Sequence, residues 1–129
     1  LEINGDPPFS KFMLDPEPGA LAYLMRNNVV FAKKWAVYPE RAYNEMCAAS
    51  LSLYYYPFIE DRQKPPEQRS LPVDFCELEP IGPMEILQPG RACSFTEDWW
   101  LAPFPFPAEG QEADLAAVRK LLEECRRGR

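Results

Sequence analysis

The sequence has no histidine. Ser-His-Asp and Cys-His catalysis are thereby excluded, together with the commonest metal ligand and the side chain that moves protons near neutral pH. Close cysteine pairs are missing too. The four cysteines are Cys47, Cys76, Cys93 and Cys125, with no CxxC spacing, so zinc-ribbon, knuckle and thioredoxin-like centres have no support. Glycine is scarce, six in 129 residues, and no phosphate-cradling loop, GxSxG elbow or dinucleotide fingerprint occurs. Positive charge is short: 14 basic residues against 20 acidic ones leave −6. A nucleic-acid binder needs the opposite balance, and an anionic bilayer would repel it. Long apolar runs are absent as well. The uncharged stretch Met46 to Ile59 falls short of the roughly 20 residues that span hydrocarbon, and no signal-peptide pattern opens the chain.

Proline and aromatics are what the chain has. Fifteen prolines in 129 residues are more than twice the usual share of about 5%. With 47% apolar and 26% charged residues the composition is otherwise that of a folded chain, sized for one domain. Ten of the prolines, and most of the net negative charge, lie between Pro57 and Pro107.

The periodicity predicts a mainly α fold with extensive irregular coil. Residues 1–18 read as an extended arm. Leu21, Leu24, Met25, Asn28, Phe31, Ala32 and Trp35 recur at helical spacing and predict a first helix to about Tyr38. A second helix is expected from Pro39, with Ala42, Tyr43, Met46, Cys47, Ser50, Leu53 and Tyr54 on its stripe until Pro57 stops it. The two would form a helical pair over 19–56, as a hairpin or meeting at an angle. Residues 57–108 carry no sustained pattern and read as a proline-rich acidic segment that wraps a surface, with short extended pieces at Val73–Leu78 and Met84–Leu87. An amphipathic C-terminal helix is expected within 109–129, from about Gln111 to Arg127, with Leu115, Val118, Leu122 and Cys125 as its stripe and charges that suit the macrodipole.

Within the coil, residues 98–107 read DWWLAPFPFP. Pro103, Pro105 and Pro107 forbid a helix and stiffen the backbone. Trp99 and Trp100 are adjacent, so on an extended chain they face opposite ways. Trp99, Trp100, Leu101, Phe104 and Phe106 therefore make a candidate protein-interface strip of low-entropy anchors, with Trp100 outward and Trp99 inward or the reverse, since an extended chain fixes only that the two split. Tyr54, Tyr55, Tyr56 and Phe58 form a second aromatic cluster, either an interfacial belt or a core corner. Cys76 and Cys93 are a candidate disulfide in an oxidising compartment. The carboxylates Glu60, Asp61, Asp74, Glu77, Glu79, Glu97 and Asp98 read as a solvated acidic face rather than a catalytic pair.

The expectation for function follows. The chain reads as a non-catalytic accessory subunit that docks onto and stabilises a larger multiprotein assembly. A membrane-associated photosynthetic or respiratory complex is the kind of host envisaged, with other protein subunits as partners, peripheral contact with a membrane or membrane proteins, and no nucleic acid, cofactor, metal or transmembrane segment. A start at Leu1 reads as a mature organellar chain (chloroplast or mitochondrion) cut from a precursor, or as a cloning boundary. The alternative is a free-standing binding module that presents a Pro/aromatic recognition segment.

Overall fold

A computed structural model of the chain describes residues 10–43, 48–56, 65, 67 and 75–125. Among these residues it is mainly β, with six strands in two antiparallel sheets and one C-terminal helix. The strands are β1 (Ser10–Leu14), β2 (Ala20–Met25), β3 (Val29–Trp35), β4 (Leu51–Tyr56), β5 (Phe75–Pro80) and β6 (Glu97–Pro103), and the helix is α1 (Leu115–Glu124). The expected mainly α fold with two N-terminal helices is therefore corrected. The chain divides into two compact units, one of residues 1–15 and 39–86, the other of 16–38 and 87–129.

In the second unit the sheet order is β2-β3-β6. The first expected helix is here a hairpin. Asn28 stands at φ 60° and its amide donates to the Met25 carbonyl at 3.1 Å. That closes a three-residue loop between Met25 and Val29, which are paired in register. Asn tolerates the left-handed conformation better than most residues, so Asn27-Asn28 turns the chain. The β-branched and aromatic run Val29-Val30-Phe31 then favours a strand.

Two-residue alternation sorts the side chains. Ala20, Ala22, Leu24, Val30, Ala32, Lys34, Asp98, Trp100 and Ala102 share one face by register. Four alanines make that face low, and the Lys34 ammonium on it donates to the Leu122 carbonyl, so α1 lies on this side. The helix is capped by Asp114, whose side chain accepts from the Ala117 amide at 2.9 Å. Ala117, Val118, Leu121, Leu122 and Cys125 are its half-buried stripe. The C-terminal helix thus exists, shorter than the Gln111–Arg127 expected; 126–129 lie outside the described residues. Val30, Ala32 and Trp35 are buried; removing a valine side chain such as Val30 from water stabilises the fold by about 1.5–3 kcal/mol. Gly19 donates space rather than flexibility. Its carbonyl accepts from the Trp35 amide at 3.1 Å, and a Cβ there would sit 2.6 Å from the Trp35 oxygen.

In the first unit the order is β1-β4-β5. The second expected helix fails because Leu51-Ser52-Leu53-Tyr54-Tyr55-Tyr56 alternates along an extended strand, and tyrosine suits a pleated surface. Ala48, at φ 53°, is already incompatible with a continuing helix. Phe12, Leu53 and Leu78 are in register, as are Leu14, Leu51 and Pro80, so these residues share one face. Tyr43, Ala49 and Leu51 are buried. Two buried serines point their hydroxyls at acids: Ser50 donates to Asp15 at 2.6 Å and Ser52 to Glu79 at 3.1 Å. The wrapping segment is likewise corrected. It contains β5 and β6, while Met84–Leu87 has no regular secondary structure and most of 57–74, including Phe58, lies outside the described residues.

Candidate functional site

On the face of the β2-β3-β6 sheet opposite the Lys34 face, strand pairing builds two side-by-side rows. Tyr23, Phe31 and Leu101 stand opposite one another across three strands, and Leu21, Lys33 and Trp99 form the next row. Three of these large apolar side chains are open to solvent: Tyr23 is 43% exposed, Trp99 63% and Leu101 70%.

Beneath this apolar surface lies one ion pair. Lys33 is buried, and its ammonium is 3.0 Å from Glu97 Oε2, with side-chain exposures of 10% and 22%. Glu97 is two residues before Trp99 on the same strand and face, so the same Oε2 also accepts from the Trp99 indole N–H at 2.8 Å. The Lys33 ammonium lies 4.7 Å from the centre of the Trp99 ring and 5.7 Å from that of Phe31, within range of cation–π attraction. Phe31 meets Trp99 edge-on, centroids 5.5 Å apart at 87°, the geometry aromatic quadrupoles favour. The indole is thus held through its N–H, one ring face and an edge.

The expected interface residues separate. Trp99 and Leu101 point outward together, whereas Trp100 is half-buried on the helix side. Adjacent tryptophans do face opposite ways, with Trp99 rather than Trp100 outward. Phe104 and Phe106 belong to a strap tied to the β2–β3 turn. The Phe104 amide donates to the Asn28 carbonyl and the Phe106 amide to Asn28 Oδ1, both at 2.9 Å, while the Arg26 guanidinium lies 5.8 Å from the Phe106 ring centre. Tyr54 and Tyr55 are half-buried on opposite faces of β4 in the other unit, and Tyr56 pairs in register with Phe75. Cys76 lies on β5 and Cys93 in coil, and the two fall in different units.

Reading 19–38 as a helix hides Tyr23, Phe31 and Lys33 as site residues, and Glu97 is read only as part of a solvated acidic face. Their signal is the Asn27-Asn28 turn, since a hairpin there places Tyr23 opposite Phe31. Among the described residues no group of three acids and cysteines could hold a metal ion, and no helix is long and apolar enough to cross a membrane. The chain matches no family model, no curated protein and no solved structure.

Proposed function

We propose that this chain is an accessory subunit without catalysis of its own, which docks onto a larger protein assembly through the face formed by Tyr23, Phe31, Trp99 and Leu101. One observation carries the reading: Trp99 is 63% exposed although three neighbours fix its orientation. Exposed, immobilised aromatics are what binding hot spots are made of, because little entropy remains to be lost on association. A sequence without histidine gives catalysis few means and leaves docking as the use for such a surface.

The alternative, a free Pro/aromatic ligand, is less well supported. In Pro103–Pro107 only Phe104 and Phe106 have amide hydrogens, and both are committed to Asn28. The segment is tied to its own hairpin.

The test is native electrophoresis of extracts from the source cells expressing tagged protein. The wild type should migrate in an assembly much larger than its 14.9 kDa, and Trp99→Ala should release it as free chain. Co-migration of Trp99→Ala with the assembly at wild-type level would overturn the reading.

A further inference from the structure

Under the docking face, a buried lysine and its carboxylate do more than cancel each other. We infer that Lys33 and Glu97 are positioning residues that hold Trp99 in its docking orientation, and that the partner receives Trp99 in an uncharged, apolar protein pocket with no acceptor for the indole N–H. The inference rests on the docking function proposed above and specifies its chemistry.

A buried ammonium requires a counter-charge, and Glu97 supplies it at 3.0 Å. The same oxygen accepts from the Trp99 indole at 2.8 Å. One carboxylate oxygen therefore couples the ion pair to the orientation of the ring. Lys33 adds a second hold from below, 4.7 Å from the ring centre, and Phe31 a third at the edge.

What Trp99 has left to offer follows by subtraction. Its only polar hydrogen is already donated, and one face is already taken by an ammonium. The remaining surface is carbon. The charges below are mutually neutralised, with only 10% and 22% of their side chains exposed, so the face offers a partner no net charge to steer on. Leu101 and Tyr23 extend the same apolar surface. A protein pocket fits better than a bilayer, because the chain's net charge of −6 opposes approach to anionic lipids.

The test uses the full chain with ¹⁵N-labelled tryptophan indoles. In the wild type the Trp99 N–H should be ordered like backbone, with an order parameter near 0.85, and should fall below about 0.6 in Glu97→Ala. Its hydrogen exchange should quicken at least about tenfold, while β3 and β6 amides keep their protection. Should Glu97→Ala unfold by stranding Lys33, the pair Lys33→Met/Glu97→Ala removes both charges and should show the same loosening in a folded chain. A wild-type Trp99 indole already below about 0.6, or one unchanged in the folded double variant, overturns the positioning role.

For the partner, raising NaCl from about 0.05 to 0.5 M should change the assembled fraction less than about twofold. A loss above about tenfold overturns the uncharged pocket. Trp99-dependent binding of the free chain to phosphatidylserine vesicles would overturn the protein pocket in favour of a membrane. If Trp99→Ala leaves the assembly intact, the docking function fails, whereas the indole order measured on the free chain decides the positioning role separately.

Discussion

Substitutions at Asn28 should separate two hydrogen bonds that leave one residue. Asn28 holds φ 60°, accepts from the Phe104 amide through its backbone oxygen and accepts from the Phe106 amide through Oδ1. Asn28→Gly keeps the left-handed turn and the backbone oxygen but removes Oδ1. One exposed hydrogen bond is worth about 0.5–1.5 kcal/mol. Easier access to positive φ and the greater freedom of glycine when unfolded roughly offset each other, so the net cost should be about 1 kcal/mol. Asn28→Ala removes the same acceptor and adds a left-handed penalty of about 1 kcal/mol, for about 2 kcal/mol in all. Asn28→Asp keeps an acceptor and should stay within about 0.5 kcal/mol. Urea denaturation gives the three totals, and amide hydrogen exchange gives the distribution. In Asn28→Gly the Phe106 amide should exchange at least about tenfold faster, whereas the Phe104 amide, still held by the backbone, should change less than about twofold. Equal loosening of both amides, or none at Phe106, would refute the two-point attachment.

Gly19→Ala should destabilise although alanine usually improves on glycine, because the new methyl would meet the Trp35 oxygen at 2.6 Å and Val37 Cγ2 at 2.7 Å. Overpacking of about 1–3 kcal/mol outweighs the unfolded-state gain of about 0.4–1 kcal/mol, and thermal unfolding should show a midpoint several degrees lower. The adjacent tryptophans should divide by role. Trp100→Ala, half-buried on the helix side, should cost the free chain about 2–3 kcal/mol, and Trp99→Ala, losing a hydrogen bond and a cation–π contact, about 1 kcal/mol. Calorimetry of the free variants checks this, and a larger melting shift for Trp99→Ala would reverse the assignment of faces.

How much of this could be read from the residues depends on the segment. The C-terminal helix was legible because Val118, Leu122 and Cys125, with Leu121 beside them, repeat only at helical spacing, although Leu115 at the head of that expected stripe is exposed. The hairpin was not. Leu21, Leu24, Met25, Phe31 and Trp35 satisfy a 3.6-residue period, yet 20–25 and 29–35 are also largely apolar runs of strand length, and short apolar runs do not discriminate between helix and strand. Pairing decides, and its local marks were the Asn27-Asn28 turn and the run Val29-Val30-Phe31. The tyrosine triplet misled similarly, since Leu51, Leu53 and Tyr55 alternate as cleanly as they recur. For the site, the opposed directions of Trp99 and Trp100 follow from any extended backbone. Which one faces outward depends on α1 lying over the low alanine face, a relation between residues about 90 positions apart that no local pattern carries. Lys33 and Glu97 were illegible for the same reason: they meet only through the register of β3 with β6.

The strap after β6 also bears on self-association. β6 is an edge strand, and such edges template the addition of foreign strands unless interrupted. Between Pro103 and Pro107 every amide hydrogen is either absent or already given to Asn28. At the other end Glu97 and Asp98 place charge. That leaves four residues, Trp99 to Ala102, along which another chain could pair, fewer than the five or six of a typical strand. An aromatic-rich edge that would otherwise nucleate fibres is thus cut too short to propagate one.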